Sequence, residues 1–311
     1  MQTVLKIENL SKYFGKKKII DDISFETYAG EVFGFLGPNG AGKTTTIKMI
    51  MGLLASDSGK IDINGVNTKK DFEKAMANIG GIVENPEMYN YLTGIQNLRQ
   101  YKRMRDGVTE DRLNEVISIV GLQNRIGDKV KKYSLGMKQR LGIAQSIMHR
   151  PKVLILDEPT NGLDPAGIKE LRDILKRMAH EENVGVFVSS HLLSEMELMC
   201  DRVGIIVNGK LIDVKTTNEL TSSIGGEIIY RFTVSPIDRA KEILASISYS
   251  SDQVTAAEHY IDIKIKEESE VSAINAAFIN GGVSLMGAVK LEQKLEDIFI
   301  QLTSGGGGQI A

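Results

Sequence analysis

The sequence predicts an α/β fold built on a parallel sheet, followed by a smaller α+β unit. Three observations carry that expectation. The glycine-rich stretch "FLGPNGAGKTT" at residues 35–45 lies between a β-rich apolar run and a helical pattern. Two later runs, in "PKVLILDEPT" and "VGVFVSSH", are continuously apolar and end in polar residues, as strands buried on both faces do. After roughly residue 220, short strands and amphipathic helices alternate in a different texture.

A chain of 311 residues is long enough for two hydrophobic cores. The expected division is an α/β domain over 1–220, with a helical subdomain over about 85–150, then an accessory α+β domain over 221–303 and a flexible tail over 304–311. The composition, 42% hydrophobic and 25% charged, is that of a soluble globular protein. A net charge of -2 supplies no bulk attraction to nucleic acid or anionic lipid, so no nucleic-acid partner is expected. The single cysteine, Cys200, has no internal disulfide partner, which fits a reducing cytoplasm and an inert thiol. "MQTVLKIENLSKYFGKKK" lacks the apolar core of a signal peptide, and no later run is long and apolar enough to span a bilayer. Work at a membrane would need the span from another chain.

In chain order, strands are expected at Val4 to Ile7 and Val32 to Leu36, then a helix from Thr44 to Leu54 ending in the turn cluster "ASDSGK". From about Phe72 to Met148 the pattern reads as mostly helical, with Thr109 as an N-cap in "GVTEDRLNEVISIVGL". The two apolar runs that follow read as parallel strands with chemistry at their C-terminal ends. Beyond them come "EIIYRFTV" as a strand, "PIDRAKEILASIS" as a helix, a short strand near Val254, "YIDIKIK" as a strand, "ESEVSAINAAFIN" as a helix and "VSLMGAVKL" as a strand. This order suggests a split βαβ, ferredoxin-like unit. "QKLEDIFIQLTS" reads as a closing helix and "GGGGQIA" as a flexible tail or an expression scar. There is no internal repeat.

The opening stretch fits G-x-x-x-x-G-K-S/T at Gly37, Gly42, Lys43 and Thr44, between a strand and a helix as that pattern requires. Without Cβ atoms, Gly37, Gly40 and Gly42 let backbone N–H groups converge on an anion, and the next helix offers its positive end. Pro38, Asn39, Ala41 and Thr45 complete the expected loop. Lys43 would neutralise β- and γ-phosphates, and Thr44 would offer a hydroxyl to Mg²⁺. Asp157 and Glu158 follow a buried run at the end where such a ligand is reached, so Asp157 is expected to hold Mg²⁺ through water and Glu158 to polarise an attacking water. His191 ends the next run, placed to bond a phosphate or that water. Ser134 and Gly136, in "KYSLGMKQR", open a basic helix and read either as a second anion site or as a simple N-cap.

Taken together, these motifs resemble the nucleotide-binding subunit of an ABC transporter over essentially all of residues 1 to 220. The resemblance implies a P-loop NTPase fold of the ABC ATPase type with a helical subdomain. "GPNGAGKTT" resembles the Walker A loop, "LILDE" the Walker B strand, "NGLD" ending at Asp164 the D-loop, and His191 the switch histidine. Phe14 matches the aromatic that stacks on adenine. The resemblance further implies ATP and Mg²⁺ as cofactors and a head-to-tail homodimer or heterodimer in which Ser134 and Gly136 of one subunit grip the γ-phosphate bound by the other. It also implies a separate transmembrane permease and a peripheral place on the cytoplasmic face of the membrane.

The chain departs from the family pattern twice. "YSLGM" puts Leu135 where a glycine is expected and Met137 where glutamine is common. Glu84, in "GGIVENPEMYNYLT", stands in the place of the Q-loop glutamine; a carboxylate there can ligate Mg²⁺ or water but adds negative charge near phosphates. With the C-terminal extension, these departures resemble the bacitracin-resistance and lantibiotic-immunity subgroup, which energises export of antimicrobial peptides. The rival readings are a soluble ABC ATPase not coupled to transport, an exporter of a lipid or drug, a P-loop phosphotransferase, and a C-terminal sensing or dimerisation module.

Overall fold

The computed structural model describes residues 1–217, 219, 228–250, 253–265 and 267–291. The chain divides into two compact units, Met1–Thr217 and Asn218–Ala311.

The first unit holds two sheets. Strands β1 (Thr3–Phe14), β2 (Lys17–Tyr28), β4 (Ser58–Ile63) and β5 (Val66–Asn67) form an antiparallel sheet in the order β2-β1-β4-β5. Strands β3 (Val32–Leu36), β6 (Ile79–Ile82), β7 (Val153–Leu156), β8 (Gly185–Ser190), β9 (Arg202–Val207) and β10 (Lys210–Thr216) form the second, in the order β10-β9-β3-β8-β7-β6. All its neighbours run parallel except β9 and β10, which make a hairpin. Asn208 and Gly209 turn that hairpin with φ of 50° and 77°, the paired left-handed conformation of a type I′ turn. Every residue of β3, β7 and β8 is buried, as strands covered on both faces require.

Aromatic packing joins the two sheets. Phe25 of β2 stacks on Phe33 of β3 with ring centroids 5.4 Å apart, and Phe187 of β8 lies 5.8 Å from Phe33 and 5.4 Å from Phe35. Helices α1 (Lys43–Ile50), α2 (Phe72–Met76), α3 (Gly94–Lys102), α4 (Glu110–Ile119), α5 (Leu135–Ile147), α6 (Pro165–His180) and α7 (Leu193–Met199) complete the unit. Thr109 caps α4 through a bond from the Arg112 amide.

Two sequence expectations need correction here. The segment from Phe72 to Met148 is not wholly helical, because "IGGI" pairs with β7 as strand β6. Its glycines permit this: a Cβ on Gly80 would lie 2.0 Å from the Ser146 carbonyl oxygen of α5. Helix α1 ends at Ile50 and not Leu54, because the Leu53 and Gly52 amides turn back to the carbonyls of Lys48 and Met49 around Gly52, whose φ is 70°. Cys200 is buried beside Met196, and burial pushes its thiol up, away from the reactive thiolate.

The second unit contains β11 (Ile228–Ser235), α8 (Ile237–Ser246), β12 (Val254–Ala256), β13 (Tyr260–Ile265), α9 (Glu270–Asn280) and β14 (Ser284–Leu291). Its antiparallel order, β12-β13-β11-β14, interleaves two βαβ crossovers as a split, ferredoxin-like unit does. Phe232 and Phe278 meet edge to face at its centre. The closing helix and glycine tail expected from the sequence lie outside the described residues.

Because Phe187 joins three partner rings across the two sheets, Phe187→Ala should cost about 3–5 kcal/mol in denaturant unfolding, and Phe187→Leu less than about 1.5 kcal/mol. A loss below about 1 kcal/mol for the alanine variant would show that the ring cluster does not hold the sheets together.

Candidate functional site

Four neighbouring parallel strands deliver their C-terminal ends to one edge of the sheet. Beyond β3 comes the glycine loop, beyond β7 Asp157 and Glu158, beyond β8 His191, and just past β6 Glu84. The order β6-β7-β8-β3 makes these four loops successive neighbours, although residues 84 and 157 are far apart in sequence. This edge is where an open parallel sheet accommodates a ligand.

The loop is shaped from behind. A Cβ on Gly37 would sit 2.4 Å from the Ile206 carbonyl oxygen, and Gly42, at φ of 110°, leaves room for none against Ile20. The Gly209 amide bonds the Ala41 carbonyl at 3.0 Å while the Gly209 carbonyl accepts from the Asp21 amide at 2.8 Å, so the β9–β10 turn ties the loop to β2. In front of the loop is a 230 Å³ cleft lined by Ile19, Asn39, Gly40, Gly42, Lys43, Thr44, Thr45, Glu158 and Asn161. Pro38 turns the loop, its carbonyl accepting from the Ala41 amide and from Lys43. Helix α1 opens onto the cleft with no acidic residue of its own in its first turn.

Lys43 is buried, and its ammonium donates to the carbonyls of Gly37 at 2.7 Å and Pro38 at 3.2 Å. It also lies 3.2 Å from Glu158 Oε1, while Glu158 Oε2 meets His191 Nδ1 at 2.8 Å. With a carboxylate as acceptor, Nδ1 is the nitrogen that carries the proton in this contact. Glu158 itself has φ of 47°, a left-handed conformation that few residues with side chains adopt. A single buried hydroxyl holds the acidic pair: Ser189 Oγ donates to Asp157 Oδ1 at 2.7 Å and accepts from the Glu158 amide at 2.9 Å.

Glu195 of α7 accepts from Thr160 at 2.6 Å and from Ser190 at 3.2 Å, clamping the loops after β7 and β8 together. Ser189, Ser190, Thr160, Asn161, Ile19 and Glu195 were not singled out from the sequence. The pair "SS" before His191 was the available signal for two of them; the others depend on contacts that no local pattern reveals.

Glu84 has φ of 66° and its carboxylate pairs with Lys48 of α1 at 2.9 Å. Phe14 ends β1 opposite Lys17, exposed and outside the cleft lining, with the Lys12 ammonium 5.7 Å from its ring centre. Ser134 caps α5 by accepting from the Met137 amide at 3.2 Å. Asp164 caps α6 by accepting from the Gly167 amide at 3.0 Å, with Pro165 as the first helical residue. Ser134, Gly136 and Asp164 do not line the Lys43 cleft. Leu135 leans over Gly162, so the departure from glycine at 135 places a methyl group against the "NGLD" turn.

Among the described residues, no three His, Cys, Asp or Glu side chains form a ready metal cage. The oxygen donors present, Thr44 and the Asp157 carboxylate with Glu84 on the adjoining loop, still suit Mg²⁺. That ion is commonly held by one or two carboxylates together with substrate phosphates and water. No helix among the described residues is long and apolar enough to cross a membrane.

A family model described as ABC transporter matches residues 20–161. The chain is 48% identical to the uncharacterized ABC transporter ATP-binding protein YhcH of Bacillus subtilis (strain 168), over 97% of each chain. It is 39% identical to the bacitracin transport ATP-binding protein BcrA of Bacillus licheniformis, over 98% of this chain and 99% of that one. Among solved structures, one titled "Structure of ATP binding subunit of ABC transporter" superposes with a TM-score of 0.63 at 30% identity, over 71% of this chain and 93% of that one. With a nucleotide-type loop, a carboxylate pair and a histidine on one sheet edge, and with relatives along nearly its whole length, this chain belongs to the ATP-binding subunits of ABC transporters.

Proposed function

We propose that the subunit hydrolyses ATP, paired head to tail with a second nucleotide-binding subunit, to power export of an antimicrobial peptide or similar amphiphile through a separate permease. The observation that carries the hydrolytic part is the run of contacts from Lys43 to Glu158, both lining the cleft, and from Glu158 to His191. The peptide part is supported by the likeness to the bacitracin transport protein.

The amides of the glycine loop and of the first turn of α1 receive the triphosphate. Lys43 then turns its ammonium from Glu158 and the loop carbonyls to the β- and γ-phosphates. That frees Glu158 Oε1 to accept a proton from the attacking water, while the His191 N–H on Oε2 keeps the carboxylate aimed. Ser189 fixes both acidic residues, so the base and the metal-side carboxylate keep their spacing. Thr44, Asp157 and Glu84 would hold Mg²⁺, which when bound offsets charge on the phosphate oxygens. Phe14 offers its exposed ring to adenine. The first turn of α5, at Ser134 and Gly136, faces the phosphates held by the other subunit, with Asp164 shaping the adjoining turn.

The permease is proposed to dock near the Glu84 loop and the helices after it, on the cytoplasmic face of the membrane. A 470 Å³ groove there is lined by apolar residues such as Leu53, Phe72 and Met76 and by polar ones such as Arg105, Gln145 and His149, and offers a seat of mixed character.

Glu158→Gln should slow phosphate release by about 10²–10⁴-fold while ATP binding persists and the closed pair accumulates, as read by size and turnover assays. Unchanged turnover would remove Glu158 from the chemistry. Glu84→Gln should shift the Mg²⁺ dependence of the ATPase, or its stimulation by the permease, by about threefold or more. Unaltered ATPase together with unaltered coupling would return Glu84 to an ordinary loop residue.

A further inference from the structure

Glu84 brings a negative charge to the loop after β6, in a backbone conformation uncommon for a residue with a side chain. Its carboxylate lies 2.9 Å from Lys48. Lys48 stands on α1, the helix whose N-terminus faces the cleft, four residues after Thr44. Residues four apart on a helix share a face, one turn above the other. The pair therefore ties the Glu84 carboxylate to the helix that carries Thr44.

The side chains are 39% and 66% exposed, so the bond contributes little to folding. Its consequence is electrostatic and positional. An unpaired carboxylate at this end of the sheet would repel an incoming polyphosphate and would be free to swing with its loop.

We propose that Lys48 is a positioning residue for Glu84: until Mg²⁺ arrives with the triphosphate, it holds that carboxylate beside α1 and balances the charge that a glutamate brings near the phosphate site. The inference rests on the nucleotide reading given above. It accounts for how this chain accommodates an acidic residue where an amide would add no charge. Lys48 does not line the cleft that Lys43 lines, which separates its role from that of Lys43.

A double-mutant cycle read by equilibrium dialysis of MgATP against the full chain tests it. Lys48→Met should weaken binding about three- to tenfold when Glu84 is present. In the Glu84→Gln background the same change should alter binding less than about twofold, and Lys48→Arg should stay within about twofold of the unsubstituted chain. Equal losses in the two backgrounds would mean that Lys48 attracts the phosphates directly or merely supports the helix, and would overturn the proposal. No loss when Glu84 is present would overturn it as well. Absence of MgATP binding by the unsubstituted chain would instead defeat the nucleotide reading itself, and this inference with it.

Discussion

The arrangement depends on one contact, the buried ammonium of Lys43 lying 3.2 Å from the Glu158 carboxylate. Lys43 is buried and Glu158 half-buried, and an unpaired charge out of water costs several kcal/mol. Their mutual attraction, with the two loop carbonyls bonded to Lys43, lets both remain at the floor of a small cleft. In the proposed mechanism an anion entering that cleft competes for Lys43, and the competition couples its arrival to release of the carboxylate. Binding and the arming of the proposed base are then the same event.

That contact exists because the sheet is parallel across five strands. Parallel strands release their loops at a common edge, so residues from the ends of β3, β7 and β8 become neighbours without any being adjacent in sequence. The edge is then tightened by short-range devices. Ser189 ties Asp157 to the Glu158 amide, Glu195 ties the next two loops, and the Asn208-Gly209 turn secures the back of the glycine loop. Glu158 and Glu84, each just past a strand end, both adopt left-handed backbone.

Much of this was legible in the sequence where chemistry follows directly on a short apolar run. The glycine loop, Asp157, Glu158 and His191 each stand at the end of a strand whose burial its composition announces. The C-terminal unit was legible as well, because its alternation of two-residue and helical periods is regular, and the observed strand order agrees with a split βαβ arrangement. Strand β6 was not, since four residues carrying two glycines show no period, and their role is set by the close passage of α5. Lys48, Ser189 and Glu195 were missed for a different reason. Each acts on a partner distant in sequence or turned toward it only by the fold, and an exposed lysine on a helix reads as a solvated residue until its partner is placed. Phe14 was identified only through resemblance, and its exposure at the end of β1 follows from the hairpin that carries it there.

The central claim is that the cleft in front of residues 37–45 receives a triphosphate whose charge Lys43 takes up. Titration calorimetry of ATP with Mg²⁺ into the full chain, compared with Lys43→Ala, tests it most directly. Saturable heat is expected for the unsubstituted chain, with affinity weakened by at least about tenfold in the variant, the scale expected on losing a charge-assisted contact. Equal affinity in the two chains, or no heat from either, would contradict it.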